Sequence, residues 1–181
     1  MNPTSQPSRP VKPLEPESIV FADDGSIPNS KLPLLLYRRA FAPDTADLDK
    51  VIEEFFVANN WANSWRDTVF PFQHYHSTSH EVLGVYRGTA TILLGGERGQ
   101  AFEVNPGDII VIPAGVGHKR VASRDTFRVV GAYPDGRDRD LLRGEPGERP
   151  QADRNIDAVP LPTTDPVSGA NGPLLKAWTV M

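Results

Sequence analysis

The sequence predicts an all-β fold, a sandwich or small barrel built from short antiparallel strands. Between residues 69 and 133, short apolar stretches alternate with clusters of turn residues, which is typical of such folds. The 181 residues include 18 prolines and 15 glycines, a composition that disfavours a mostly helical chain. A helical period is clear in one stretch only, residues 44–60.

The strands are expected where apolar residues run between turn signals. In order, they cover residues 69–75, 82–86, 89–94, 101–104, 109–112, 118–121 and 126–133. Arg87 and Gly88 are expected to form a tight turn between the second and third of them. Upstream, residues 18–21 and 34–38 are two more candidate strands, and the second has no obvious hairpin partner. An unpaired apolar strand invites another chain, so we expect a homodimer.

The helix is expected from Asp44 to Asn60. Its apolar residues follow a 3.6-residue period and form one stripe, made of Leu48, Val51, Ile52, Phe55 and Phe56. Asp44 or Thr45 can cap its first turn. Such a helix is expected to cover the outside of a sheet.

The length fits one domain with arms. Residues 1–16 are polar and rich in proline, which predicts a flexible tail. Residues 17–145 are expected to form the folded domain with its flanking helix, and residues 69–133 are its core. Residues 146–181 are interrupted by prolines and are expected to be an extended arm that ends in an apolar patch.

Composition excludes several classes of protein. The net charge is −4 without a basic block, so no nucleic-acid partner is expected. No cysteine is present, which excludes disulfides, thiolate metal sites and cysteine nucleophiles. No apolar run reaches the roughly 18 residues of a membrane span, and the first 16 residues lack the apolar centre of a secretory signal. A cytoplasmic protein without membrane partners is therefore expected.

Three of the four histidines lie within seven residues, beside a glutamate. On a strand, His74 and His76 project to the same face, and a short turn would bring Glu81 back beside them. Two imidazoles and a carboxylate suit a divalent transition metal, namely Fe, Mn, Ni, Zn, Co or Cu. His80 neighbours Glu81 and is expected to point the other way, in a supporting or surface role.

These residues resemble the two motifs of the cupin family. The first motif is matched by His74, His76, Glu81 and Gly88, and the second by Gly107, Pro113, Gly115 and His118. Thr68 and Ala122 depart from the pattern, but neither position holds a metal ligand in the family. The resemblance covers about a third of the chain. It implies a double-stranded β-helix, a jelly-roll-like barrel of two facing sheets, in which His118 is the fourth ligand.

Two further residues are candidates for contact with a substrate. If His118 points inward, Arg120 on the same strand does too, and its guanidinium could hold a carboxylate or phosphate. The alternative is a salt-bridged arginine at the rim. Phe72 shares the face of His74 and, with Phe70, is expected to form an apolar pocket floor.

Three functional hypotheses follow. Open coordination positions suit a metal-dependent enzyme that acts on a small organic molecule, which could be an anion. The resemblance implies dioxygenase, decarboxylase or isomerase chemistry. A non-catalytic sensor or carrier of a small molecule is the alternative, and a purely structural barrel used for dimerisation is the third.

Overall fold

The computed structural model describes residues 15–179, so most of the predicted tail lies outside the described residues. The elements are, in chain order, β1 (Glu17–Ile19), β2 (Leu34–Tyr37), α1 (Leu48–Ala58), β3 (Trp61–Asp67), β4 (Glu81–Leu94), β5 (Gln100–Val104), β6 (Ile109–Ile112), β7 (His118–Pro134), α2 (Gln151–Ala158) and α3 (Pro173–Ala177). No helix within residues 15–179 is long and apolar enough to cross a membrane.

All strand pairs are antiparallel, which confirms the predicted all-β class. The strands form one continuous hydrogen-bonded ladder in the order β1-β2-β6-β4-β7-β3, and β5 pairs with β4. β4 and β7 are the long strands of 14 and 17 residues. Because each has several partners along its length, these two strands connect the parts of the barrel.

The tight turn expected at Arg87 and Gly88 is not formed, because β4 runs through both residues. The pairing of β4 with β7 shifts register between Val85 and Arg87 and again between Arg87 and Thr89. Gly88 has a φ of 66° at this point, and a Cβ there would lie 2.6 Å from a backbone oxygen of β7. Such irregularities bend a strand without ending it.

Helix α1 covers the sheet as expected, although it begins at Leu48 rather than Asp44. The expected caps are not used, since Asp47 occupies the N-cap in a left-handed conformation. Leu48, Ile52 and Phe56 are buried in a core cluster with side chains of the sheet. Gly84 on β4 permits this close approach, because a Cβ there would lie 2.5 Å from Cγ2 of Ile52.

Strand β2 is fully buried and is paired on both sides, with β1 and with β6. The expectation that this strand lacks a partner within the chain is therefore wrong, and it was the reason for expecting a homodimer. The homodimer itself stays a prediction.

The C-terminal segment, expected to be extended, contains the two short helices α2 and α3 and packs on the domain. Asp165 is fully buried and accepts hydrogen bonds from the hydroxyl of Tyr37 and from the backbone N–H of Leu174. The indole of Trp178 donates to the carbonyl of Pro33 at 2.8 Å. These long-range contacts, rather than local propensity, order a segment that its prolines had marked as extended.

Candidate metal centre and cavity

His74 and His118 lie opposite each other in an isolated antiparallel bridge. The N–H of His118 donates to the carbonyl of His74 at 2.9 Å, and the reverse bond is 3.2 Å long. The expected strand over residues 69–75 is otherwise not formed. Across this bridge the two rings lie 4.0 Å apart between centroids, and the N–H of Arg120 also donates to the carbonyl of Phe70 at 2.9 Å.

His76 and Glu81 complete the group from either side of a short loop. The carbonyl of His76 accepts a bond from the N–H of Gly115, which belongs to the second motif. Glu81 is the first residue of β4 and pairs with Ile112 of β6. Its Oε2 lies 3.3 Å from Nε2 of His76 and 3.2 Å from Nε2 of His118. All four predicted ligands are buried and come together at one point.

The three imidazoles are oriented by backbone carbonyl oxygens. Nδ1 of His74 lies 3.1 Å from the carbonyl of Phe72, and Nδ1 of His118 lies 3.1 Å from that of Val116. Nδ1 of His76 contacts the carbonyl of Asp140. A carbonyl oxygen can only accept, so each Nδ1 carries the hydrogen, and the Nε2 of each neutral ring is left as an acceptor.

The nitrogen ligand atoms lie within 4.8 Å of one another, so the three histidines could hold a metal ion. Oε2 of Glu81 is buried, faces two of the Nε2 atoms and has no hydrogen-bond donor within residues 15–179. Four buried acceptors that face each other need a positive charge between them. The donor set therefore fits a divalent transition metal.

Burial and mutual contact shift the pKa values of His74, His76 and Glu81 in this group. Burial lowers the pKa of His74 to about 3, and the nearby His118 adds to that effect. Burial also opposes a charged His76, but the Glu81 carboxylate outweighs it and raises the pKa of His76. Burial alone would raise the pKa of Glu81, yet the adjacent His76 and His118 hold it well below its usual range. A carboxylate that stays ionised in the interior is suited to bind a cation.

A second set of side chains holds Glu81 from behind. The hydroxyl of Tyr133 donates to Oε1 of Glu81 at 2.9 Å and accepts from Nε1 of Trp65 at 2.7 Å. The register of β4 and β7 explains the first bond: Val82 pairs with Ala132, so Glu81 lies beside Tyr133. Trp65 therefore belongs to this hydrogen-bonded chain.

The position of Trp65 depends on a bulge and a glycine. The register of β3 against β7 shifts between Ala62 and Trp65, and Trp65 pairs with Gly131. A Cβ at Gly131 would lie 2.1 Å from Cε2 of the indole. The indole can therefore lie across the strand only because residue 131 has no side chain.

His80 points away from the group, as strand alternation predicted, but it is not at the surface. It is 2% exposed, packs against the ring of Trp178 at 4.7 Å and accepts a bond from the N–H of Ala114 through Nδ1. Burial lowers the pKa of His80 to about 4. His80 thus supports the turn that precedes His118 and lies behind the ligand strand.

A cavity of about 350 Å³ opens beside the group and is lined by all four predicted ligands. Its apolar lining includes Trp65, Val69, Phe70, Leu83 and Leu141, and its polar lining includes Tyr133, Arg139 and Asp140. The pocket floor predicted from Phe70 and Phe72 is therefore only half formed. Phe72 stacks on Phe70 at 4.9 Å but does not line the cavity.

The structure does not bring Arg120 to the cavity. Its Nε donates to the carbonyl of Val69 at 3.0 Å, and its Nη1 donates to Oγ of Ser123 at 2.9 Å. The pairing of β7 with β4 is regular from His118 to Arg120, so the register does not account for this position. The guanidinium is instead held outside the cavity lining by the carbonyl of Val69 and the hydroxyl of Ser123.

Sequence reasoning missed Tyr133, Arg139 and Asp140. Tyr133 could have been found, since an antiparallel pairing of the strand that starts at Glu81 with the strand that ends near residue 133 places the two side by side. Asp140 accepts from the N–H of Ser77 at 2.7 Å and from Thr78, so it caps the loop between His76 and Glu81. No local pattern marks Asp140 or Arg139.

Comparisons with known proteins agree with the fold and the motif. The sequence profile of the cupin domain matches residues 67–130. Uncharacterized protein YjlB of Bacillus subtilis (strain 168) is 44% identical over 165 residues, which are 91% of this chain and 97% of that protein.

Two solved structures show a more distant likeness. Acireductone dioxygenase from Bacillus anthracis, with a cadmium ion in its active centre, matches 59% of this chain and 80% of its own, with 16% identity and a TM-score of 0.40. Oxalate decarboxylase from Bacillus subtilis, with Mn(II) centres, matches 63% of this chain and 28% of its own, with 19% identity and a TM-score of 0.37. By its profile match and its identity to YjlB, the chain belongs to the cupin family.

Proposed function

We propose that this cupin binds a divalent transition metal through Nε2 of His74, His76 and His118 and Oε2 of Glu81. The observation that supports this most is the set of three Nδ1–H groups facing carbonyl oxygens, which turns every Nε2 into an acceptor aimed at the same point as an unpartnered carboxylate oxygen. No protein donor could satisfy all four, whereas one cation does.

We further propose that the protein is a metal-dependent enzyme acting on a small organic molecule. A purely structural metal is closed off by its protein ligands, but here all four ligands line an open cavity. Bound there, the metal would supply Lewis-acid or dioxygen chemistry of the dioxygenase, decarboxylase or isomerase type. The chain itself would orient the substrate against the apolar wall and hold Glu81 through Tyr133.

A non-catalytic sensor or carrier is the second candidate, and one observation favours it. Of the three carboxylates that line the cavity, the two beside the predicted ligands are already engaged: Glu81 with Tyr133, and Asp140 with Ser77 and Thr78, whereas Asp67 is exposed. A site without a free acid or base in its interior is suited to holding a ligand. Turnover separates the two candidates.

The metal is tested on the full chain after loading with Mn, Fe, Co, Ni or Zn, by mass spectrometry of the bound metal. We expect His76→Ala to lose most of the metal. His80→Asn is the matched control, because Asn can still accept the bond from Ala114, and it should retain the metal. Equal losses in the two variants, or no metal in the wild type, would contradict the proposed ligands.

The reaction is tested next, by oxygen uptake and product analysis with small acids, diketones and phenols. Turnover that requires the metal and disappears in His76→Ala supports an enzyme. Saturable binding without turnover supports the carrier.

A further inference from the structure

The arginines that line the cavity differ in whether an acidic side chain pairs with them. Two arginines line it, and Arg66 is neutralised by Asp49 at 2.9 Å and by Glu53 at 2.7 Å. Arg139 makes no hydrogen bond or ion pair with any of residues 15–179. It is the one lining cation in the described part of the chain that lacks an acidic partner.

The position of Arg139 places this free charge near the metal centre. Its guanidinium lies over the ring of Tyr133, 5.1 Å from the centroid. The hydroxyl of that ring contacts Glu81, so the arginine and the four predicted ligands lie on walls of the same cavity, joined through one aromatic side chain. An aromatic face holds a guanidinium in place while its N–H donors stay available.

The acidic side chains of the cavity do not compete for Arg139. Glu81 accepts from Tyr133 and faces the histidines, and both carboxylate oxygens of Asp140 accept from the loop at Ser77 and Thr78. Asp67 is exposed and accepts from the N–H of Thr68. Arg139 is exposed, so water solvates it in the free protein and an anionic ligand can replace that water.

We propose that the cavity takes an organic carboxylate, whose carboxylate group pairs with Arg139 and whose apolar body packs on Trp65 and Phe70. The planar guanidinium matches the planar carboxylate through two parallel hydrogen bonds. One guanidinium balances one negative charge, which favours a monoanion over a phosphate dianion. A cavity of about 350 Å³ limits the ligand to a small molecule.

This inference names the ligand class of the site proposed above and rests on that proposal. Its test uses two fluorinated probes of equal shape, 4-fluorobenzoate and 4-fluorobenzamide, and follows their binding to the full chain by fluorine NMR. Zinc-loaded and metal-free protein are both titrated. The variants are Arg139→Gln, Arg139→Lys and, as matched control, Arg143→Gln, since Arg143 lies 4.0 Å from the ring of Phe72 and does not line the cavity.

We expect the acid to bind roughly tenfold or more tightly than the amide to wild type, the difference typical of one charge-assisted contact. Arg139→Gln should abolish that preference, Arg139→Lys should retain part of it, and Arg143→Gln should retain all of it. Equal binding of acid and amide, no binding of the acid at millimolar concentration, or an equal effect of the two glutamine variants would overturn the proposal.

The two forms of the protein separate this inference from the proposed metal site. If the preference for the acid requires zinc and is unchanged in Arg139→Gln, the carboxylate binds to the metal. That result would overturn the role of Arg139 but not the proposed metal site. A preference that depends on Arg139 in a chain that binds no zinc would uphold the anion site and overturn the metal centre.

Discussion

The hydroxyl of Tyr133 donates to Oε1 of Glu81, the carboxylate oxygen that does not contact the histidines. Trp65 in turn donates to Tyr133 at 2.7 Å. One carboxylate oxygen is thus held by the protein and the other is presented to the predicted metal position. Such supporting contacts restrict how a carboxylate can coordinate.

We expect Tyr133→Phe to weaken zinc binding by about 10–100-fold, because Glu81 is then free to rotate away from the histidines. Competition with a chelator measures the affinity. Tyr37→Phe is the matched control, since it also removes a buried bond between a phenol and a carboxylate, but at Asp165. If both variants weaken zinc binding alike, the effect reflects general stability and not the orientation of Glu81.

We expect Gly131→Ala to displace the indole of Trp65, because the new Cβ would lie 2.1 Å from its Cε2. Overpacking of this kind costs roughly 1–3 kcal/mol of the free energy of unfolding. Urea unfolding measures the loss, and the indole N–H signal of Trp65 in nitrogen-15 NMR should shift. Combining Gly131→Ala with Trp65→Phe should cost less than the sum of the single changes, and strict additivity would count against the contact.

We expect buried His80 to make stability fall on acidification. Its pKa is about 4 in the folded protein, against 6.5 for the ordinary side chain. Between pH 4 and 6.5, the side chain is therefore protonated in the unfolded chain and neutral in the folded protein. This contribution is complete above pH 6.5 and is lost towards pH 4, at up to about 1.4 kcal/mol per pH unit.

The measurement is the difference in unfolding free energy between wild type and His80→Asn across that pH range. Buried His74 acts in the same direction in both proteins and cancels in the difference. A difference that stays constant with pH would show that His80 is not held neutral.

We expect Asp165→Ala to destabilise the protein by more than about 3 kcal/mol, because it leaves several buried donors unpaired. These donors are the hydroxyl of Tyr37 and the backbone N–H groups of Val167 and Leu174. Urea unfolding measures the change. Asp153→Ala, which removes only a partly exposed ion pair to Arg149, should cost under about 1 kcal/mol, and similar losses in both would contradict the role of Asp165.

The sequence allowed prediction of those features that local period or motif spacing determines. The stripe of α1 and the strand Ile109–Ile112 formed as expected, and the predicted ligands converge. Strand β3 was missed because its bulge interrupts the alternation of Trp61 and Trp65. Arg139 was missed, and Arg120 lies outside the cavity lining, because side-chain direction and loop position depend on contacts distant in sequence, which local alternation does not contain.

The main-chain carbonyl of Asp140 contacts Nδ1 of the predicted ligand His76, and its carboxylate holds the loop that follows His76. Its neighbours Arg139 and Leu141 line the same cavity without such anchors. Saturation mutagenesis of these three successive codons should therefore give a tolerant, intolerant, tolerant pattern when variants are sorted by metal retention. For redesign of ligand preference, positions 139 and 141 are available for randomisation, and position 140 has to stay aspartate.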